Sequence, residues 1–258
     1  MDEFIVIVES RADAEIATEL AQRVLLEKVD WLEPESLQHF FKWAGLDPGT
    51  NYSCWKDLNN IVERVKHDGL RIRYLGHSKD GPQKTDYATT SKSLKLIHFL
   101  QHKYKRPIKA VIFIRDLDNQ PERRQSIEQA CSEYRDPQSP LAIVIGTPDR
   151  MREAWVLNGF IPSSESEQEK QVLQEIQSQL KFDPCEESHR LRSTSKEEPE
   201  RMRNPKVVLE ILTRADQLRE QQCWQETRLE ILRQRGTKTG LALYLDEVEQ
   251  RLMPIIAT

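Results

Sequence analysis

The sequence has few cysteines, no long apolar run and little net charge. Its four cysteines lie far apart in 258 residues and form no Cys-x-x-Cys pair, which argues against both a zinc site and a disulfide framework. No apolar run approaches the roughly 18 residues that span a bilayer, so no membrane association is expected. The net charge of -4 gives no global attraction to nucleic acid, so nucleic-acid binding would need local basic clusters.

The composition is that of a soluble protein with a sizeable core. Charged residues make up 31% of the chain and hydrophobic residues 38%, and a chain of this length can bury most of the surface that its unfolded form exposes. The acidic start, Met1-Asp2-Glu3, lacks the positive segment of a signal peptide, so we expect a cytoplasmic protein.

Three apolar runs predict buried strands, at residues 4–8, 110–114 and 141–145. An alternating pattern predicts a fourth strand at residues 70–75, followed by a loop at 78–84. Continuous apolar strands that alternate with helical patterns indicate a mainly parallel sheet covered on both faces. The predicted fold class is therefore a Rossmann-like α/β fold.

Helical patterns fill most of the remaining chain. Ser10 is placed to cap a helix that has Ile16, Leu20, Val24 and Leu25 on one face. Helices at residues 35–44 and 53–66 would form a helical insertion over about 30–68, and two more helices are predicted at 89–104 and 121–134.

Beyond residue 160 the strong strand patterns stop. Helices are predicted at residues 167–180, 206–234 and 241–252, with a loop at 193–203. In the long helix, Val207, Ile211, Leu218 and Leu229 are expected to pack on the domain, although a dimer interface there is an alternative. We predict a catalytic domain at 1–160 and a helical C-terminal extension at 161–258.

Carboxylates follow the predicted strands. Glu9 ends the first strand, Asp116 and Asp118 follow the strand at 110–114, and Asp149 follows the next. Ligands of an open parallel sheet bind outside the carboxyl ends of its strands. Carboxylates that converge there repel one another unless a cation neutralises them, and Mg2+ prefers such oxygen ligands. The sequence therefore predicts a Mg2+ or Mn2+ site.

The same residues resemble a known family. Residues 5–10 (Ile-Val-Ile-Val-Glu-Ser) resemble the Glu motif that opens the Toprim domain of topoisomerases, bacterial primases and OLD-family nucleases. Residues 112–118 (Ile-Phe-Ile-Arg-Asp-Leu-Asp) resemble its Asp-x-Asp motif. Residues 146–160 are similar to the Pro-x-x-Glu-x-Trp-Leu-Leu segment of RloB-like and related stand-alone Toprim proteins of bacteria, many of them linked to defence against phage. The resemblance covers residues 1 to about 160.

The chain also departs from members of that family. Ser10 stands where many primases have glycine, and neither a strand-passage domain nor a zinc module is recognisable, so topoisomerase or primase activity is not expected. No Walker A motif is present, so a partner ATPase would be a separate polypeptide.

The resemblance implies a Mg2+-dependent nuclease that cleaves DNA or RNA in antiviral defence. Glu9 would be a general base or metal ligand, and Asp116 and Asp118 would hold one or two ions, with Glu153 as a ligand of the second. The basic groups that would face phosphate are Arg11, Arg115, Arg150 and Arg152, and Lys206 is the catalytic lysine that the resemblance implies.

Simpler interpretations stay open. Asp116 and Asp118 could belong to a capped turn, Glu9 and Glu153 could each be acidic residues near a helix N-terminus, and His189 is expected to be a surface or partly buried histidine. The chain could also be a non-catalytic Toprim subunit that binds nucleic acid or a partner protein, or an enzyme that transfers a phosphoryl or nucleotidyl group.

Overall fold

A five-stranded parallel sheet forms the centre of the protein. The computed structural model describes residues 1–71, 85–134 and 140–257. The strands are β1 (Asp2–Val8), β2 (Phe41–Ala44), β3 (Ser53–Cys54), β4 (Ile108–Ile114) and β5 (Ala142–Gly146). Their order is β2-β1-β4-β5, and β3 pairs with the second half of β1. Every described pairing is parallel, which confirms the predicted α/β fold class.

Helices surround the sheet, and none in the described part of the chain is long and apolar enough to cross a membrane. They are α1 (Arg11–Lys28), α2 (Leu37–Phe40), α3 (Leu58–Lys66), α4 (Thr85–Lys103), α5 (Glu122–Glu133), α6 (Glu153–Gly159), α7 (Glu167–Leu180), α8 (Pro205–Thr213), α9 (Gln217–Gln225), α10 (Leu229–Arg235) and α11 (Leu241–Ile256). Short 3-10 turns lie at Trp55–Asp57, Ser188–Arg190, Arg201–Arg203 and Gly236–Lys238.

Both faces of β1 are buried, as its unbroken apolar sequence predicts. Phe4, Val6 and Val8 join a cluster that includes side chains of α1 and α11. Ile5 and Ile7 point to the other face and join a cluster with side chains of α3 and α4. The central strand therefore has helices on each side, and its carboxyl end is positioned by two layers of packing.

The start of α1 confirms the predicted cap. The Ser10 hydroxyl accepts a hydrogen bond from the Asp13 backbone N–H and donates one to Asp13 Oδ2 at 2.7 Å. The predicted apolar face is buried at all four positions, Ile16, Leu20, Val24 and Leu25. This cap fixes the path of the chain immediately after β1.

The predicted helix at residues 35–44 is wrong over its second half. Only α2 is helical, and residues 41–44 form β2 beside β1. Phe41 stacks on Phe4 with ring centroids 4.2 Å apart, and Trp43 packs edge-on against the same ring. Aromatic residues favour strands, and these tertiary contacts outweigh the local helical pattern. The insertion predicted as helical over 30–68 thus contains two short strands, and the helix predicted at 53–66 begins only at Leu58.

The predicted helix at residues 206–234 is three helices. Arg214 and Ala215 have positive φ, which ends α8, and the Asp216 side chain caps α9 by accepting from backbone N–H groups. Leu218, expected to pack, is 70% exposed, and α9 buries Cys223 and Trp224 instead. The predicted strand at 70–75 lies largely, and the loop at 78–84 entirely, outside the described residues.

The C-terminal helices share a core with the sheet. Trp155 in α6 stacks on Tyr244 in α11, with ring centroids 5.2 Å apart, and its indole N–H donates to Thr239 O at 2.8 Å. The Tyr244 hydroxyl donates to Ala17 O in α1 at 2.7 Å. These contacts join residues on both sides of position 160. The domain boundary predicted there stays a prediction.

Tyr244→Phe tests the connection of α11 to α1. The change deletes one buried hydrogen bond and leaves the ring stacking, so we expect the free energy of unfolding to fall by about 1 kcal/mol. Chemical denaturation would measure it. Tyr104→Phe is the matched control because Tyr104 is 43% exposed, and it should change stability by no more than about 0.5 kcal/mol. Equal effects of the two changes would contradict the buried connection.

Candidate functional site

Glu9 and Asp116 lie side by side at the carboxyl end of the sheet. β1 and β4 are hydrogen-bonded neighbours, with Ile7 opposite Phe113, so the residues that follow the two strands emerge together. The Asp116 backbone N–H donates to Glu9 Oε1 at 3.2 Å. The structure thus brings the two predicted acidic motifs together.

Asp116 is surrounded by other carboxylates. Burial raises its pKa to about 9, and four more acidic side chains, Asp13, Glu9, Glu153 and Asp118, each raise it further. One oxygen, Oδ1, is buried and has no hydrogen-bond partner among the residues that the structure describes. A buried acid in this setting holds a proton at neutral pH unless a positive charge approaches it.

Asp13 was not predicted as a site residue. It is 4% exposed in the first turn of α1, and Ser10 holds its carboxylate. Its position four residues after Glu9, behind a serine cap, is the pattern that could have revealed it. The helix that follows β1 returns this acid to the same edge of the sheet.

Glu9 is partly neutralised by an arginine. Burial raises the pKa of Glu9, and the guanidinium of Arg115, 3.1 Å from Glu9 Oε1, opposes that rise. Arg115 Nε also lies 3.0 Å from Asp86 Oδ1 in α4, although no aligned hydrogen bond joins them. Arg115, predicted to face phosphate, therefore contacts carboxylates in this state of the protein.

Asp118 has its own arginine partner. Arg123 in α5 lies 2.9 Å from Asp118 Oδ2 and donates to the Asp116 carbonyl at 2.8 Å. Asp118 and Asn119 both adopt the left-handed conformation, with φ of 47° and 62°, which Asp and Asn tolerate better than other residues with a Cβ atom. Neither Arg123 nor Asp86 was predicted as a site residue. Arg123 lies near the start of the helix that follows Asp118, and Asp86 comes from α4, which is more distant in sequence.

Arg152 connects the site to the C-terminal helices. Its guanidinium lies 2.5 Å from Glu220 in α9, 3.5 Å from Glu153 and 4.0 Å from Asp13. Burial lowers the pKa of Arg152, but these carboxylates more than offset that effect. Arg152 therefore holds acids from three segments of the chain in place, and Glu153 is one of them.

The other predicted basic residues lie in different surroundings. Arg11 is exposed and pairs with Glu15 at 2.7 Å. Arg150 is 3% exposed, and Lys206 is exposed near the start of α8. In the described part of the chain, no hydrogen bond or ion pair joins Lys206 to the carboxylates, so its catalytic role stays a prediction.

The donor set suits a hard divalent cation, which prefers carboxylate oxygens. Asp116 Oδ1 is the unsatisfied buried atom that such an ion would contact. Among residues 1–71, 85–134 and 140–257, no three His, Cys, Asp or Glu side chains are already arranged to hold a metal ion. For Mg2+ to bind, Glu9 and Asp118 would turn from Arg115 and Arg123 towards Asp116.

Comparison with known proteins gives no match to a family model, a curated protein or a solved structure. The resemblance to Toprim domains therefore depends on the motif residues, and the family assignment stays a prediction.

Asp116→Asn should stabilise the metal-free protein at high pH. The folded-state pKa of about 9 exceeds the ordinary value of 3.8, so between these values the folded protein keeps a proton that the unfolded chain releases. Stability is therefore lost as pH rises through this window. Because each pKa unit of this difference is worth about 1.4 kcal/mol, we expect the variant to be more stable by at least about 2 kcal/mol near pH 8, or at least about 5 °C in Tm, with no difference near pH 4.

Thermal unfolding in EDTA across this pH range would measure the effect. Asp246→Asn is the control, since the Asp246 side chain is 52% exposed, and its curve should follow that of the wild type. Parallel curves for Asp116→Asn and the wild type would contradict the buried, protonated carboxyl.

Proposed function

We propose that this protein is a Toprim-type, metal-dependent nuclease that cleaves phosphodiester bonds in DNA or RNA. Asp116 carries the proposal: it is a buried acid with an unpaired Oδ1 and four carboxylates close enough to raise its pKa. A divalent cation is the group that would satisfy this arrangement. The carboxyl ends of β1 and β4 are also where an open parallel sheet binds its ligands.

Asp116, Glu9 and Asp118 would hold the ion, with Asp13 and Glu153 available for a second. When bound, Mg2+ or Mn2+ would polarise a phosphodiester and lower the pKa of a bound water. As a general base instead of a ligand, Glu9 would accept a proton from the attacking water, because its raised pKa lies closer to neutral pH than that of an ordinary glutamate.

The paired arginines have a second role in this proposal. Arg115 and Arg123 neutralise Glu9 and Asp118 while no ion is bound. If those carboxylates turned to a cation, the guanidinium groups would lose these two partners and keep Asp86 beside them, so each could also contact phosphate oxygens, which match the fork of an arginine. The metal ion and the arginines would then neutralise the negative charge of the phosphate together.

A groove beside the site supports a polymer as substrate. It has a volume of about 1040 Å3 between α1 and residues 34–52, and its lining includes Trp43, Tyr52, Lys42 and the ion pair of Arg11 with Glu15. Basic and aromatic side chains together are typical of surfaces that bind single-stranded nucleic acid. Arg11 lies two residues after Glu9, so the groove begins near the carboxylates.

The central test is cleavage of supercoiled plasmid and of total RNA with Mg2+ or Mn2+. Glu9→Gln and Asp116→Asn should each reduce cleavage by at least about 100-fold, since one removes the proton acceptor and the other a ligand. Asp246→Asn, remote from the site, should cleave as the wild type does. Metal-dependent cleavage that persists in both site variants would contradict the proposal, and the polymer that is cut identifies the substrate.

Lys206→Met separates binding from chemistry. If Lys206 stabilises the charge that develops during cleavage, the variant should lose about 100-fold in rate. The increase in Tm that Mn2+ produces should be unchanged, because the carboxylates remain. Wild-type cleavage by this variant would remove Lys206 from the mechanism.

The second candidate is a non-catalytic subunit that binds nucleic acid or a partner protein. The pairs Glu9–Arg115 and Asp118–Arg123 favour it, since they neutralise two carboxylates without a cation. Partners in this case would include a separate ATPase, another defence subunit or a second copy of the chain. Absence of any Mn2+ effect on Tm, with folded protein and no cleavage, would favour this candidate.

A further inference from the structure

A basic cluster lies next to the carboxylates, beyond the carboxyl end of β5. It consists of Arg150, His189, Arg192 and Lys238. Burial lowers the pKa of His189, and Lys238 and Arg192 lower it further. Burial also lowers the pKa of Arg150, and the neighbouring charge of Arg192 adds to that effect. Four basic side chains from three distant segments thus share one region.

Asp149 connects these segments. Its backbone N–H donates to Thr239 O at 2.8 Å, which holds the turn Gly236–Lys238 against the β5–α6 loop. Its carboxylate accepts two hydrogen bonds from Arg192, at 3.0 and 2.7 Å. Arg192 also donates to Asn119 Oδ1 at 3.2 Å, so the cluster reaches the loop that carries Asp118.

Arg150 is a buried member of this cluster whose donors are not satisfied within the described part of the chain. It is 3% exposed, and its Nε and Nη1 atoms are buried without hydrogen-bond partners among residues 1–71, 85–134 and 140–257. Its carbonyl accepts a hydrogen bond from the Asp118 backbone N–H at 2.9 Å, which fixes it beside the metal-site candidates. His189 Nδ1 is also buried and unpartnered. Buried donors without acceptors are costly, and a bound anion would satisfy them.

The local charges favour an anion. Three acids face the cations Arg150, Arg192 and Lys238. Asp149 pairs with Arg192, and Asp118 pairs with an arginine of α5. The other facing acid, Glu187, pairs with Arg190 at 3.2 Å and faces His189. A phosphate group presents several acceptor oxygens to arginine donors and supplies the missing negative charge.

We propose that this basic cluster binds a backbone phosphate of a single-stranded nucleic acid, next to the phosphodiester that the carboxylates would address. The inference deepens the proposed function and rests on it for the identity of the ligand. The phosphate would replace the Asp149 carboxylate as acceptor for Arg192 and would reach Arg150. The C-terminal segment would thereby position the substrate strand.

Binding of short labelled single-stranded DNA and RNA in EDTA tests the proposal without cleavage. Arg150→Met and Arg192→Met should each weaken binding about tenfold, and Arg192→Met should lower the slope of log K against log salt by about 0.7. Arg64→Met is the matched control: Arg64 in α3 also pairs with an aspartate, Asp47, and its side chain is 58% exposed against 47% for Arg192. The control should bind as the wild type does.

Two further readouts exclude a purely structural role. Asp149→Asn removes the internal competitor for Arg192, so it should tighten binding about threefold, opposite in sign to the arginine variants. Arg150→Met should keep or raise Tm, because methionine fills the space without unpaired donors. If Arg150→Met lowers Tm and also loses binding, the loss could come from a damaged fold. Arg192→Met then decides the test, because its exposed side chain can change without loss of the fold.

Wild-type affinity in both arginine variants would overturn the proposal, as would absence of oligonucleotide binding by the wild type. Inorganic phosphate is the second probe. If it raises Tm through Arg150 but oligonucleotides do not bind there, the assignment to nucleic acid is overturned in favour of a free phosphate compound. Arginine-dependent binding without any metal-dependent cleavage would support the cluster and contradict only the nuclease.

Discussion

The parallel pairing of β1 with β4 is the constraint on which the candidate site depends. Each strand is apolar at nearly every position, so each is buried on both faces, and the register that sets Ile7 opposite Phe113 also brings Glu9 to the backbone of Asp116. A slip of one residue would reverse the faces of every side chain in the strand. Burial of the apolar strands therefore fixes the register that brings the carboxylates together, and the carboxylates do not need to stabilise the fold themselves.

Charge balance is the second constraint. Acids from β1, α1, the β4–α5 loop and α6 meet in one region, and arginines compensate for most of them. Arg152 has the widest reach, since it joins Asp13 and Glu153 to Glu220 of the C-terminal helices. Asp116 is the acid left without such a partner, and a buried acid is the one that a cation would affect most. Most acids of the site are thus neutralised by arginines, and Asp116 is the acid at which an ion would bind.

The sequence predicts the parts of this arrangement that local pattern determines. β1, β4 and β5 are predicted because continuous apolar runs are typical of buried strands. Glu9 and Asp116 are predicted to lie together because the carboxyl ends of parallel strands meet at one edge of the sheet. β2 is missed because four residues give a weak pattern, and its stability comes from the contact of Phe41 with Phe4. Partners that approach from distant helices, such as Asp86 of α4 and Glu220 of α9, depend on tertiary packing, which sequence spacing does not encode.

The two sides of this sheet edge differ in charge, and the difference bears on how an acidic protein could hold a polyanion. Carboxylates dominate beside β1 and β4, and the basic cluster lies beyond β5, joined to them through the hydrogen bond from Asp118 to Arg150. A nucleic acid substrate would use both environments. The phosphodiester to be cleaved would contact the cation, and an adjacent backbone phosphate would contact basic side chains. The net charge of -4 is compatible with such binding because screening confines electrostatic attraction to about 10 Å. Within that distance, the placement of Arg150 and Arg192 matters more than the total charge of the chain.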